Sequence, residues 1–239
     1  MAAPKSPIPE LWTVAGVTGP FRDHLVDSVT RVVDGIQYTT AKFPQTLTPS
    51  DLLKGLFQEK QVDVAARFIK AMAYVSGTCA KHAPCNAYFR GLGKGLSLAD
   101  FFAWEIRFWF YKPAQKATPA GFSADRIGVT VGEVISSGTN AEGRPWARIA
   151  IGEPALVSHI KLAATIVHEL AHLAGAKGAT AEAAARASAD KKGDEYKSLI
   201  AAETALKHCL LGKQFDKEAI GLLHDDIPGW RGRGGRWIA

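Results

Sequence analysis

His168, Glu169 and His172 are the residues of this sequence whose types and spacing could do chemistry. In the stretch TIVHELAHLAGAKG, residues 165 to 178, two histidines four positions apart flank a glutamate. On a helix of about 3.6 residues per turn this spacing stacks the imidazoles one turn apart on the same side, so both can reach a single ion. Neutral imidazoles give zinc two borderline-soft nitrogen ligands, a third protein ligand completes the cage, and the open position holds a water whose pKa falls to about 7. Glu169 sits next to that face and is placed to take the water's proton. The bland alternative is a solvated polar face on an alanine-rich helix.

The flanking residues support a helix. Leu162, Ile166, Leu170 and Leu173 cover one side of ALVSHIKLAATIVHELAHLAGA, with Val167 at its edge, and the histidines fall on the other. Ala164, Thr165 and Ala171 around them are small enough to leave room.

At HELAH and its helix the chain resembles the zincin metallopeptidases, in which an HExxH helix supplies two zinc ligands and the general base. Within that group the longer pattern HExxHxxGxxH is met at Gly175 but fails at its last position, where Gly178 replaces histidine. The gluzincin branch, which takes a glutamate from a later helix, fits better, and DEYKSLIAAETALKHCLL is that helix. The chain is also similar to bacterial metallopeptidase-like domains attached to toxin-like or secreted proteins, with AAETALKHC as the second element.

The resemblance implies His168, His172 and Glu203 as zinc ligands and Glu169 as the base. Tyr196, Leu199, Ile200, Leu206 and Leu210 form an apolar stripe with Glu203 near its centre, where a carboxylate needs a partner. A salt bridge to a core lysine or arginine is the alternative use of Glu203, and Glu195, Glu182 and Asp194 are the alternative ligands. Tyr196, two turns earlier on the same face, is a candidate oxyanion stabiliser or a core tyrosine. His159, His208 and His224 have no such supporting geometry. In zincins the substrate commonly adds to the edge of the sheet, and ARIAIG is the expected edge strand.

The elements that must position these residues come from hydrophobic periodicity. FRDHLVDSVTRVVDGI reads as an amphipathic helix, a second follows the capping signal TPSD at Thr48 to Asp51, and a third lies in VDVAARFIKAMAYV with Val64, Phe68 and Met72 on one stripe. GTCAKHAPCNAYFRGLGKGLS reads as an irregular loop, in which GLGKGLS lacks the lysine-serine adjacency of a phosphate loop and Cys79, His82 and Cys85 lack a fourth zinc ligand. Ser97 and Asp100 cap FFAWEIRFWFY, read as a buried helix, and RIGVTVGEVI and RPWARIAIG read as strands joined through SSGTNAEG. The chain then turns helical from Pro154, without internal repeats.

This predicts an α+β fold, mostly helical, with a small antiparallel sheet preceding the HExxH helix. The organisation expected is a flexible leader over 1–20, a helical region of unassigned role over 21–120, a metallopeptidase-like core over 121–225 and a basic Gly/Arg/Trp tail over 226–239.

Composition sets outer limits. At 239 residues and 47% hydrophobic content the chain can build a real core. No window supplies the roughly 20 apolar residues of a membrane span, and the proline-broken N-terminus is no signal peptide, so a cytoplasmic start is expected, with export by another route left open. Three cysteines, Cys79, Cys85 and Cys209, suggest reduced thiols, with one bridge and a free thiol as the alternative. A net charge of +6 is spread along the chain and marks no clear nucleic-acid site, although GWRGRGGRWIA gathers arginines between tryptophans.

The function expected is zinc-dependent hydrolysis of peptide or protein substrates, with room for an inhibitor or immunity protein as partner. Two rivals remain: a non-catalytic interaction module with a basic surface and a structural or vestigial HELAH helix, and a zinc hydrolase acting on a different bond.

Overall fold

Alternation decides the aromatic segment. Ile106, Phe108 and Phe110 recur at every second residue and are buried, with Trp109 buried on the opposite face, a period that suits a strand. The computed structural model of the protein describes residues 12–14, 30–33, 36–41, 44, 46–50, 54, 57–113, 132–178, 198 and 200–209. Within it FFAWEIRFWFY is not the expected helix: a short 3-10 helix covers Leu98–Ala103 and a strand covers Glu105–Pro113. The expected cap stands, since Ser97 N–H donates to Asp100 Oδ2 at 2.7 Å.

In chain order the strands are β1 (Trp12–Val14), β2 (Thr30–Val33), β3 (Ile36–Ala41), β4 (Thr46–Leu47), β5 (Val62–Asp63), β6 (Glu105–Pro113), β7 (Gly132–Thr139) and β8 (Pro145–Gly152). The helices are α1 (Val64–Tyr74), α2 (Ala83–Arg90), α3 (His159–Ala174) and Ala201–Cys209, here α4. The fold is α+β, as expected.

The main sheet is larger than the expected hairpin. It has six strands in the order β2-β3-β6-β8-β7, with β1 also paired to β6. The β1–β6 and β6–β8 pairs are parallel and the others antiparallel, while β4 and β5 form a separate pair. β1 falls inside the span expected to be a flexible leader. ARIAIG lies in β8, between β6 and β7, so among the described residues the edge strand on this side is β7.

The expected first helix over 21–36 is corrected at its end, where β2 and β3 form a hairpin. Thr30, Val32 and Val33 are β-branched, and Asp34-Gly35 before Ile36 is a hairpin turn signal that outweighs the helical spacing. No α-helix follows the Thr48–Asp51 signal among the described residues before α1. Most of the segment where that helix is expected, 51–53 and 55–56, lies outside the described residues.

α1 forms where expected. Asp63 caps it by accepting from Ala66 N–H at 2.9 Å, and Val64, Phe68, Ala71 and Met72 are its buried stripe. Phe68 meets Phe108 of β6 edge-on, with ring centroids 5.0 Å apart, so the helix lies on the sheet.

The stretch expected as a loop over 77–97 holds structure. Val75–Cys79 continue α1 as a π-helical turn, and α2 starts with Pro84 in its first turn, where proline favours a helix rather than breaking one. GLGKG is the glycine-rich turn foreseen: Gly93 and Gly95 have positive φ, and Lys94 N–H donates to Ala174 O at 3.1 Å, closing the end of α3.

The cysteines also correct an expectation. Cys85 of α2 and Cys209 of α4 are joined by a disulfide across 124 residues, and Cys79 is the buried free thiol. Their neighbours reinforce the same contact: Tyr88 stacks on His208 with ring centroids 4.4 Å apart and donates to Ala201 O at 3.0 Å.

β7 and β8 pair antiparallel as expected, but β7 includes Ser136 to Thr139, which the sequence assigned to the connection. The turn begins at Asn140, whose side-chain oxygen accepts from Glu142 N–H at 3.1 Å and Arg144 N–H at 2.8 Å.

Candidate metal centre

α3 carries the site, and its ends are fixed by local chemistry. Ser158 caps the N-terminus by accepting from Lys161 N–H at 3.0 Å. At the other end Gly175 N–H donates to His172 O at 3.1 Å and Ala176 N–H to Ala171 O at 2.9 Å, with Gly175 left-handed at φ +118°. HELAH therefore occupies the last two turns of a well-stopped helix.

Every residue from Lys161 to Ala171 is buried, because α3 packs against α1, α4 and β7. His168 is 5% exposed and Glu169 2% exposed, while His172 is half-buried. This removes the solvated-face reading for His168 and Glu169: those two polar groups sit in the interior, where each must be compensated.

Their geometry converges. His168 Nε2 and His172 Nε2 are 3.1 Å apart, with ring planes at 82° to each other. His172 Nδ1 faces Ala176 O at 3.4 Å, and a carbonyl can only accept, so the proton belongs on Nδ1 and the lone pair on Nε2. The ligand-capable atoms of His168, Glu169 and His172 all lie within 4.8 Å of one another, a group that could hold a metal ion. Two imidazole nitrogens at about 2.0–2.1 Å from one tetrahedral ion stand a little over 3 Å apart, which fits the observed spacing.

The neighbours of this group come from both sides. A Cβ added to Gly132 at the start of β7 would stand 2.7 Å from Glu169 Oε1 and 2.7 Å from Thr165 Cγ2. Thr165 Oγ1 donates back to Lys161 O at 3.0 Å. Lys161 itself lies on the histidine side of α3 and is 4% exposed, and burial pushes its ammonium pKa down to about 7.

Glu203 lies in the first turn of α4, which packs against α3. The buried stripe of α4 is Ala202, Ala205, Leu206 and Cys209, and Glu203 is half-buried beside it rather than at its centre. Among the described residues the group able to share an ion consists of His168, Glu169 and His172. Tyr196, Glu195, Asp194 and Glu182 fall outside the described residues, as does the arginine-rich tail.

Gly132 is the neighbour that sequence reasoning passed over. Its signal was a glycine inside a β-branched pattern, which marks a close approach of backbone to something else.

None of the described helices is long and apolar enough to cross a membrane. No protein-family model matches the chain, and searches of curated proteins and of solved structures find no match either.

Proposed function

We propose that the protein is a zinc-dependent metallopeptidase. The observation that carries the reading is the convergence of two imidazole Nε2 atoms, 3.1 Å apart, beside a buried carboxylate on one helix. Two borderline-soft nitrogens with carboxylate oxygen nearby form a donor set that suits zinc better than calcium or magnesium.

His168 and His172 would hold the ion, and Glu203, in the first turn of a helix that packs against α3, would take the third place. Bound there, zinc supplies Lewis acidity toward a water and a substrate carbonyl. Glu169 accepts the proton of the attacking water and returns it to the leaving amine, and its burial beside the cluster keeps it oriented for both transfers. Tyr196, outside the described residues, is the candidate for stabilising the oxyanion, with a core tyrosine as its alternative use. β7 is the edge strand, and a peptide or protein main chain pairs with it in extended form.

The test joins metal content to turnover. Protein purified without chelator should carry close to one zinc per chain by elemental mass spectrometry and cleave members of a mixed peptide library. Glu169→Gln should keep the zinc and lose cleavage. No zinc after incubation with the metal, or cleavage that persists in Glu169→Gln, sinks the reading.

A further inference from the structure

β7 meets α3 through a residue that has no side chain. A Cβ at Gly132 would stand 2.7 Å from Glu169 Oε1, 2.7 Å from Thr165 Cγ2 and 3.0 Å from Glu169 Cγ. Thr165 and Glu169 are one turn apart on the same side of α3, so their side chains form a notch that receives the strand backbone. The Thr165 hydroxyl is tied to Lys161 O at 3.0 Å, which holds one wall of that notch in place.

Gly132 does not have the left-handed φ that would itself demand glycine; Gly93, Gly95, Gly143 and Gly175 do. What a side chain at 132 meets is therefore this contact, and two of the three nearest atoms in it belong to Glu169. They are the carboxylate oxygen and the methylene before it, the part of the side chain whose place decides where a proton can be accepted.

We infer that Gly132 is a positioning residue for Glu169: the bare backbone at the start of β7 admits the carboxylate into the group with His168 and His172, and a side chain there displaces it. The inference rests on the reading of Glu169 as the base. A displacement of about 1 Å is enough to cost a large factor in a positioned proton transfer, while the two imidazoles, which supply none of the three atoms nearest that Cβ, would keep the metal.

The experiment is Gly132→Ala in three backgrounds, wild type, Glu169→Asp and Glu169→Ala. In the wild-type background zinc content should be unchanged, kcat on a peptide cleaved by the parent should fall at least about tenfold, and KM should stay within about twofold. In Glu169→Asp the added methyl should cost less than about twofold further in kcat, because the shorter carboxylate clears it. A second readout needs no turnover: on metal-free protein, the fall in thermal midpoint caused by Gly132→Ala should shrink by more than about half in Glu169→Ala. If Gly132→Ala does not fold alone, the same comparison is made with Thr165→Ser throughout, which removes the other wall of the notch.

An unchanged kcat in Gly132→Ala, an equal kcat loss in Glu169→Asp, or an equal midpoint loss in Glu169→Ala overturns this inference and leaves the peptidase reading standing. A parent protein that binds zinc and cleaves nothing overturns the peptidase reading, and the role given to Gly132 falls with it.

Discussion

The carbonyl oxygen of Leu92 occupies the space that a side chain on Gly175 would need: a Cβ there would fall inside van der Waals contact with it. Gly175 also has φ +118°, where L side chains are strained. Conformation and packing together require glycine at the end of the helix that carries His168 and His172. Gly175→Ala should lower stability by about 1–3 kcal/mol, read as a shift in urea midpoint, and loosen the last turn enough to weaken metal binding at His172.

Metal binding should depend unequally on the assigned ligands. His168→Ala and His172→Ala should each abolish stoichiometric zinc, because two nitrogens 3.1 Å apart form the core of the site. Glu203→Ala should weaken binding roughly 10- to 100-fold if it is the third ligand, and equilibrium dialysis against zinc measures this. Wild-type affinity in Glu203→Ala would move the third place to another carboxylate.

Chelation should lower the thermal midpoint of the wild-type protein and leave His168→Ala unmoved. A ligand that binds only the folded chain stabilises it by about 2.7 kcal/mol at a hundredfold excess over its dissociation constant, and removing it takes that away. Calorimetry with and without chelator reads the difference.

Lys161 should make stability depend on pH. Burial lowers its pKa from 10.5 to about 7, so between those values the unfolded chain holds a proton that the folded chain has released. Its contribution therefore makes stability rise with pH from about 7 towards 10.5, and is flat below about 7, where both states are protonated. Lys161→Met, of similar length, should remove that slope in urea midpoints measured across the window.

Cys85 and Cys209 bridge 124 residues of chain, and breaking the bridge should cost about 2–5 kcal/mol. Burial pushes the Cys79 thiol up to about 12, so it should ignore thiol reagents in the folded protein. Unfolded without reductant, the chain should titrate as one thiol. Three thiols would mean that the bridge is absent.

Local chemistry was enough to announce part of this protein. The i, i+4 histidines with Glu169, the Ser97 cap and the α1 stripe are all written within a few residues of where they act, since each depends on helix periodicity or on a nearest-neighbour hydrogen bond. The aromatic segment misled because its bulky residues suit either a buried helix or a buried strand, and pairing with β8 on one side and with β1 and β3 on the other settled it.

Only the tertiary structure decided the rest. The burial that separates HELAH from a solvated polar face comes from α1, α4 and β7 closing on α3. The bond between Cys85 and Cys209 joins residues 124 apart, and Glu169 lies against a glycine 37 residues before it in β7. Such contacts depend on which surfaces meet, and no local period carries that information.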